Sequence, residues 1–325
     1  MTIRLFESLG HDPARNLAIE EALLLGDFPE PILFLWQNAH TVVIGRGQNA
    51  WKECRTGLLD EEGGTLVRRS TGGGAVYHDL GNLNFSFVMQ KALYDVPRQL
   101  NVIRRGVLSF GIETEASGRN DIVLKDSGAK FSGNAFRFTQ THGLHHGTIL
   151  MDVDIAKLGR YLAPSKAKLE SKGVESVRAR VGNLAALNPD ISIENLKAAL
   201  FEAFKAEYGP GEPGRWEDTL DEAAVDALAG KYRGWDWTYG KTPRFDVTLE
   251  RRFPWGGVEL LLSLKQGLVA QATCFTDAND PELADRVSRA LQGAAFTPEG
   301  LGKGLRESSR DEDRDIAAWL AQEQV

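Results

Sequence analysis

The sequence predicts an α+β fold, in which a mixed, largely antiparallel sheet is covered by helices. Strand-like runs follow one another between residues 32 and 150, and the joins between them are mostly of hairpin length. Two amphipathic segments, residues 97–110 and 192–208, have the apolar spacing of helices that cover a sheet. Strands and helices do not alternate regularly, as they would in a parallel α/β fold.

Composition and charge narrow the class of protein. The chain has 325 residues, 42% of them hydrophobic, and a net charge of -7, which predicts a globular protein of two domains or of one domain with an appendage. The acidic balance argues against a dedicated nucleic-acid-binding protein, because a basic surface supplies most of that affinity. No signal segment opens the chain and the longest apolar runs are short, so we expect a cytoplasmic protein without a membrane span.

The secondary structure of the N-terminal segment, residues 2–44, is predicted from the local sequence pattern. Residues 2–6 are strand-like, and residues 12–25 predict a helix with Asp12 as its N-cap. Two buried strands are then predicted at residues 32–36 and 41–44, joined by a short turn.

Residues 45–50, GRGQNA, fit the G-x-G-x-x-A fingerprint of dinucleotide-binding folds. The helix that follows would be short and charged, and no second βαβ half is present. We therefore favour a turn, with Arg46 and Gln48 facing the same site as the glycine run described next.

The central segment, residues 68–87, reads RRSTGGGAVYHDLGNLNFSF and predicts strand, glycine loop, strand, turn and strand. Three consecutive glycines lose much backbone freedom on folding, which indicates that another group approaches this backbone closely. Backbone N–H groups in such a loop can hold an anion, and Arg68 and Arg69 add positive charge. A glycine-rich hairpin with two solvated arginines is the alternative.

The next group of polar residues that could form part of a site lies between predicted strands. Strands are predicted at residues 112–116, 122–125, 135–139 and 145–150. Lys130 stands beside a predicted Ser-Gly turn and Arg137 lies on the strand that follows, as an anionic reaction centre would require.

Three histidines are candidate metal ligands or general bases. His145 and His146 would point to opposite faces of a strand, which favours core or supporting roles over joint metal binding. His78 and Asp79 form either an acid/base pair or a structural turn.

The second half of the chain contains fewer candidate catalytic or ligand-binding residues. Residues 162–183 are basic and predict a mobile loop that closes over a phosphate compound, with a solvated charge run as the alternative. Helices are predicted at residues 192–208 and 221–231. The chain then ends in a small α+β unit, so we predict a catalytic domain, residues 1–243, and an accessory domain, residues 244–325. The strands of the accessory domain are predicted at residues 245–252, 258–265 and 268–275, and its helices at residues 281–291 and 311–324.

Taken together, these polar segments are rich in cationic hydrogen-bond donors and poor in nucleophilic side chains, so a site built from them would stabilise anions. No G-x-x-x-x-G-K-[ST] phosphate-binding motif is present. Cys54 and Cys274 lack the spacing of a zinc site or a disulfide framework, and we expect both to be small buried residues.

Five motifs in this order resemble those of lipoate-protein ligase A. They are RRSTGGGAVYHDLGN from residue 68, ASGRND from residue 116, KFSGNAFR from residue 130, HHGTIL from residue 145 and KGVESVRAR from residue 172. The likeness extends over nearly the whole chain. It implies a biotin/lipoate ligase-like catalytic domain followed by an accessory domain.

The resemblance also implies a reaction in two steps. Lipoate and MgATP would give lipoyl-AMP and pyrophosphate, and the lipoyl group would then pass to a lysine of an acceptor protein. The implied acceptors are the lipoyl domains of 2-oxoacid dehydrogenase E2 subunits and the glycine-cleavage H protein, and octanoate is an alternative acyl substrate.

Residue roles are implied by the same motifs. Lys130 would contact both the acyl carboxylate and the nucleotide phosphate. The other residues implied to bind ATP or the adenylate are Arg69, Gly73, Gly74, Ala75, Val76, Tyr77, Asn82, Asp121, Arg137, Lys172, Arg178 and Arg180. Arg69, Thr71, Gly73 and His78 would also line the lipoate site, and Asp121 would bind the metal.

Two departures from the family pattern, Thr71 and Asn134, lie beside the expected pocket and bear on chain-length preference. An octanoyl or lipoyl transferase would need a thioester-forming cysteine, and neither cysteine lies in the motifs. A biotin ligase would carry a GRGRxGR-type loop, which this chain lacks. A non-catalytic lipoate- or nucleotide-binding protein would keep the pocket but lose the reactive lysine, and Lys130 is present.

Overall fold

A computed structural model describes residues 2–118, 121–162, 181–239 and 246–323. The large sheet has the strand order β11-β1-β2-β6-β10-β9-β8-β7. Strand β1 pairs in parallel with β11 and β2, and the remaining neighbours are antiparallel, which confirms the mixed α+β prediction. Its strands in chain order are β1 Arg4–Glu7, β2 Ile32–Trp36, β6 Asn82–Gln90, β7 Thr114–Ser117, β8 Asp121–Leu124, β9 Lys130–Phe138, β10 His142–Leu150 and β11 Pro213–Gly214.

A second sheet of three strands carries the glycine loop. Its order is β4-β3-β5, formed by Thr65–Arg68, Thr41–Ile44 and Val76–His78, with β3 parallel to β4 and antiparallel to β5. The glycine loop, residues 69–75, connects β4 to β5. Strands β2 and β3 were predicted as consecutive buried strands, and the structure places them in different sheets.

Helices cover both faces of the large sheet. Helix α1, Pro13–Leu25, begins after the predicted N-cap Asp12, whose carboxylate accepts from the Ala14 N–H at 3.0 Å. It shares one core with Glu222–Arg233, whereas Val96–Leu108 and Ile193–Tyr208 pack on the opposite face. The helices up to residue 239, numbered from α1, are α2 Ala50–Glu53, α3 Thr56–Glu61, α4 Val96–Leu108, α5 Ile155–Tyr161, α6 Ile193–Tyr208, α7 Glu222–Arg233 and α8 Trp235–Thr238.

The C-terminal unit has its own sheet and core. Strands β12 Val247–Phe253, β13 Gly256–Lys265 and β14 Leu268–Thr276 form an antiparallel sheet, on which helices pack around a separate apolar cluster. These helices are α9 Leu283–Leu291, α10 Pro298–Lys303 and α11 Asp311–Leu320. Helix α10 was not predicted, because its sequence PEGLGK has two glycines and too few residues to show a periodic pattern.

Two local predictions were wrong. Lys130 and Gly133 lie on β9 itself and not at a turn before it, since the strand extends five residues further back than its apolar pattern indicated. Strand β10 likewise begins at His142, because paired neighbours on both sides support residues without a strand-like pattern. Among the described helices, none is both long and apolar enough to cross a bilayer.

Candidate active site

A cavity of about 150 Å³ lies between the α1 face of the large sheet and the glycine loop. Its mouth is lined by half-buried residues, and its inner part is lined by buried ones. The mouth residues are Gly74, Ala75, Val76, Lys130, Gly133 and Thr148. The inner residues are Leu17, Trp36, Val43, Arg69, Gly73, His78, Asn84, Asn134, Ala135, His146 and Gly147.

Strand register brings the inner residues onto one face. Asn84 of β6 pairs directly with Trp36 of β2 and Thr148 of β10. Because directly opposed residues on neighbouring strands point to the same side of a sheet, these three side chains face the cavity together. His146 lies in the next row and faces the same side.

Lys130, the first residue of β9, stands at the mouth of the cavity. Its Nζ lies 2.7 Å from Oδ1 of Asp121, and its side chain keeps 38% exposure. A side chain at Gly133 would collide with it, since a Cβ there would lie 2.7 Å from the Lys130 Nζ. Gly133 therefore leaves the space in which the ammonium group lies over the cavity.

The glycine loop is held in shape by Arg69. The buried guanidinium donates to the carbonyl oxygens of Gly72 at 2.6 Å and Gly74 at 2.8 Å, and to the Thr71 hydroxyl at 3.0 Å. Burial lowers the pKa of Arg69 to about 10, so the group stays charged at neutral pH. Gly73 has a φ of +87°, a conformation suited to glycine. Most of the cationic donors of Arg69 are thus directed at the backbone of the loop.

Arg68 fixes the base of this loop. Its guanidinium donates to the carbonyl oxygens of Gly45, Arg46, Gln48, Trp237 and Thr238 at distances of 2.6 to 3.1 Å. The G-x-G-x-x-A segment that begins at Gly45 is therefore a turn clamped by Arg68. The dinucleotide-binding alternative finds no support, because β3 belongs to a small mixed sheet and the next helix is α2, of four residues.

A buried hydrogen-bond network connects the loop to the sheet. Thr71 Oγ1 lies 2.8 Å from His146 Nε2, and His146 Nδ1 lies 2.7 Å from Glu20 Oε1. Ser86 also donates to that carboxylate at 2.5 Å and accepts from the Trp36 indole at 2.9 Å. The network fixes the Trp36 ring at the inner end of the cavity.

His145 points to the other face, as strand alternation predicted. It lies between Gln99 Oε1 at 2.8 Å and Asn134 Oδ1 at 2.9 Å, and burial lowers its pKa to about 3. It supports the core next to the cavity and does not line it.

Several predicted site residues lie outside the cavity lining. Arg137, two positions beyond Ala135 on β9, is paired with Glu21 at 2.8 Å. Burial raises the pKa of Glu21, but bonds from Lys231 and Arg137 outweigh it and hold that pKa below the usual range. Asn82 begins β6 and donates to Asn84 Oδ1 at 3.0 Å, and the Tyr77 side chain packs in a separate apolar cluster. Lys172, Arg178 and Arg180 lie outside the described residues.

Among the described residues, no cluster of three or more histidine, cysteine, aspartate or glutamate side chains could hold a metal ion. Asp121 is one carboxylate beside an ammonium group. Both cysteines are buried, as predicted, and burial raises the pKa of Cys54 to about 12 and that of Cys274 above its usual range. Neither thiol is activated, which leaves a thioester mechanism without support.

Sequence reasoning missed the inner residues Trp36 and Asn84, and also Glu20 and Asn38, which bond to the lining residues His146 and His78. Glu20 carried one signal, because it falls on the buried face of α1 beside Leu17, where an acid needs a partner. Asn84 sits in the apolar run NLNFSF at a position that alternation assigns to a buried face. Their convergence depends on strand register, which local pattern does not specify.

Two family models match the chain. Residues 12–205 match the lipoyl protein ligase A/B catalytic domain, and residues 242–320 match the C-terminus of bacterial lipoate protein ligases.

Solved structures agree with both matches. A lipoate complex of LipL1 from P. falciparum is 30% identical, with a TM-score of 0.86, and the alignment covers 99% of this chain and 100% of that one. The bipartite lipoate protein ligase of Thermoplasma acidophilum, described in a structural analysis of that ligase and its E2 lipoyl domain, is 28% identical over 76% of this chain and 100% of that one, with a TM-score of 0.65. A lipoate-protein ligase A structure with bound ATP is 26% identical over 74% of this chain and 99% of that one, with a TM-score of 0.60.

Proposed function

Because the chain belongs to the lipoyl protein ligase A/B family and is an ATP-dependent lipoate-protein ligase, we propose that both steps of its reaction take place beside Lys130. The observation that carries this proposal is the position of the Lys130 side chain at the cavity mouth, which the glycine loop also lines. The lipoyl chain would occupy the cavity, with its carboxylate at the mouth.

In the first step, a lipoate carboxylate oxygen attacks the α-phosphorus of ATP, and the bond to the pyrophosphate oxygen breaks. Two anions must approach each other for this bond to form. A fixed ammonium group between them offsets their repulsion and stabilises charge that develops in the transition state. Lys130 is suited to this role because its ammonium group is half exposed and pairs, within the described ranges, with the carboxylate of Asp121 alone.

The glycine loop would hold the nucleotide. Backbone N–H groups of Gly74, Ala75, Val76 and Tyr77 would contact the phosphates. Arg69 and Thr71 keep the loop in the shape that makes this possible, as does Gly73, whose N–H donates to the Ala278 carbonyl at 2.8 Å. Asn82, whose amide donates to Asn84 Oδ1 at 3.0 Å, is a further candidate for binding the nucleotide. We retain Arg137, Lys172, Arg178 and Arg180 as secondary candidates for binding the adenylate.

We also propose Mg²⁺ as a cofactor that accompanies ATP. Magnesium commonly binds one or two carboxylates together with substrate phosphates and water, and Asp121 at the cavity mouth fits that donor set. When bound, the ion would neutralise phosphate charge.

In the second step, the neutral amine of an acceptor lysine attacks the acyl carbonyl carbon and forms an amide bond. The bond between the acyl carbon and the phosphate oxygen breaks, AMP leaves with its electron pair, and the amine nitrogen releases one proton. We propose that the acceptors are lipoyl domains of 2-oxoacid dehydrogenase E2 subunits and the H protein of glycine cleavage. The relative from Thermoplasma acidophilum, studied with its E2 lipoyl domain, supports the first of these.

We assign the catalytic domain to residues 1–243 and the accessory domain to residues 244–325. The separate apolar core of the C-terminal unit supports this division, as do the limits of the two matched family models.

The test is lipoate-dependent pyrophosphate release by Lys130→Ala, together with mass spectrometry of an apo lipoyl domain incubated with enzyme, ATP, magnesium and lipoate. We expect the variant to lose at least about a hundredfold in rate, as enzymes do when a transition-state donor is removed. Its unfolding transition should match that of the unaltered protein.

The matched control is Lys125→Ala. Lys125 is an exposed lysine that pairs with one carboxylate, Glu113 at 2.5 Å, and lies outside the cavity lining. Its removal should leave the rate unchanged. Normal pyrophosphate release by the Lys130 variant would exclude the proposed role.

A further inference from the structure

The inner end of the cavity contains two buried N–H donors that have no hydrogen-bond partner within the described part of the chain. They are Nε2 of His78 and Nδ2 of Asn84, on side chains that line the cavity and are only 3% and 2% exposed. A buried donor that makes no hydrogen bond is costly, and native proteins rarely leave one without a reason. Two of them beside one cavity indicate that a ligand supplies the acceptors.

A chain of hydrogen-bonded amide side chains determines which ring nitrogen of His78 carries the proton. Asn16 Nδ2 donates to the Gln37 carbonyl at 2.8 Å and lies 3.1 Å from Asn38 Oδ1, which therefore accepts. Asn38 Nδ2 is then the donor that lies 3.2 Å from His78 Nδ1. Since His78 Nδ1 accepts, its Nε2 carries the hydrogen and points a donor at the cavity. Burial lowers the pKa of His78 to about 3, which keeps this neutral form at working pH.

Asn84 is oriented by its neighbour on the same strand. Its Oδ1 accepts from Asn82 Nδ2 at 3.0 Å, which leaves the Asn84 amide N–H₂ as the group available to a ligand. The register with Trp36 and Thr148 directs that amide to the cavity face.

The two donors lie where the far end of an acyl chain would be. Lys130 is half exposed at the mouth, whereas His78 and Asn84 are fully buried among the apolar side chains of Leu17, Trp36 and Val43. An acid bound with its carboxylate at Lys130 would therefore place its tail between the two donors.

We propose that His78 and Asn84 determine acyl-chain specificity by donating to the sulfur atoms at the tip of the substrate. The substrate class is then a medium-chain carboxylic acid that ends in a disulfide ring, and a hydrocarbon chain of similar length is disfavoured. Sulfur is a weak acceptor and a polarisable one, so it suits a pocket that combines two N–H donors with apolar and aromatic walls. A site with buried donors rejects a chain that lacks acceptors, because the donors then stay unpaired. This inference rests on the proposed function and deepens it.

The first test compares kcat/KM of acid-dependent pyrophosphate release for lipoate and octanoate. The variants are Asn84→Leu and His78→Phe, which replace each donor by an apolar group of similar size. We expect each variant to lower the ratio of lipoate to octanoate by about tenfold, as the loss of one such contact implies. The control is Thr148→Val, at the mouth, which should change both acids alike.

A second test needs no variant and so does not depend on folding. The unaltered enzyme is assayed with an analogue of lipoate in which two CH₂ groups replace the sulfur atoms and the ring is kept. We expect its kcat/KM to fall well below that of lipoate, towards that of octanoate. An analogue that matches lipoate would overturn the inference, as would variant ratios equal to that of the unaltered enzyme. If the unaltered enzyme activated none of the three acids, the proposed function would fail instead.

Discussion

At the scale of single residues, buried polar groups shape the site as much as the exposed lysine does. Arg68 shows how. Its guanidinium binds five main-chain carbonyl groups from two distant parts of the chain, the Gly45 turn and helix α8. These bonds offset the cost of burying its charge and position the β4 end from which the glycine loop starts.

We expect Arg68→Met to lower the free energy of unfolding by about 3 kcal/mol, because five carbonyl groups lose a charged donor. The matched control is Arg105→Met on α4, an exposed arginine 3.5 Å from Glu207, which should cost less than about 1 kcal/mol. Urea denaturation measures both. Equal losses in the two variants would show that the buried bonds contribute no more than a surface ion pair.

His78 predicts a pH dependence of stability. Its pKa is about 3 in the folded protein, lowered from 6.5 by burial. The unfolded chain therefore takes up a proton below about pH 6.5 that the folded protein refuses until about pH 3. The stability from this residue is present above pH 6.5 and is lost as the pH falls between these values.

The measurement is the free energy of unfolding between pH 6.5 and pH 4, in the unaltered protein and in His78→Phe. We expect the unaltered protein to lose stability more steeply, by up to about 1.4 kcal/mol per pH unit. Parallel curves would mean that His78 is protonated in the folded protein, and that its Nε2–H is not fixed by the amide chain.

At the scale of elements, the glycine loop is shaped by contact with the C-terminal unit. The Gly73 N–H donates to the Ala278 carbonyl at 2.8 Å, and a Cβ at Gly72 would lie 2.5 Å from the carbonyl oxygens of both Ala278 and Asn279. Two of the three consecutive glycines are thus explained by the close approach of another backbone, which the sequence alone indicated without naming the partner.

We expect Gly72→Ala to lower the free energy of unfolding by about 1 to 3 kcal/mol, because neither backbone can yield without moving the loop. Pyrophosphate release should fall as well, since the same loop lines the cavity mouth. Gly230→Ala on α7 is the control: nothing lies within 4 Å of an added Cβ, so this change should stabilise the protein by about 0.5 to 1 kcal/mol. A Gly72 variant as stable and active as the control would contradict the contact.

Most elements could be predicted from local pattern, and their pairing could not. The helix that begins after Asp12 and the strands Ile32–Trp36 and Thr41–Ile44 were predicted with their observed limits, because capping residues and β-branched runs act locally. The division of β2 and β3 between two sheets depends on contacts with residues far along the chain. Lys130 could be recognised from its sequence motif. Asn84 and Glu20 could not, because only strand register and packing between distant elements bring them to the site.

At the scale of the whole molecule, two units with separate cores meet beside the active site. Arg46 lies 2.8 Å from Asp285, Lys52 lies 2.5 Å from Glu259, and Thr276 N–H donates to the Gly47 carbonyl at 2.5 Å. The Arg46 N–H also donates to the Thr71 carbonyl of the glycine loop at 2.8 Å. Because the accessory unit contacts the same turn, it helps to hold the loop in place. Activity should therefore depend on both units, even where each folds alone.

We expect residues 1–243 and 244–325, expressed separately, each to unfold cooperatively, because each has its own apolar core. Lipoate-dependent pyrophosphate release should be low for the first segment and should rise when the second is added. The concentration of the second segment that gives half of this rise measures the affinity between them.

A double-mutant cycle at Arg46 and Asp285 tests whether the contact seen here holds the two segments together. Each single change to alanine should weaken the association, and the double change should cost less than the sum of the two. The coupling should amount to about 0.2 to 1 kcal/mol, up to about fivefold in the dissociation constant, as is typical of exposed ion pairs. The cycle subtracts the separate contact of Arg46 with the Trp237 ring, at 5.3 Å. Strictly additive losses would mean that the two side chains do not interact when the segments associate in solution.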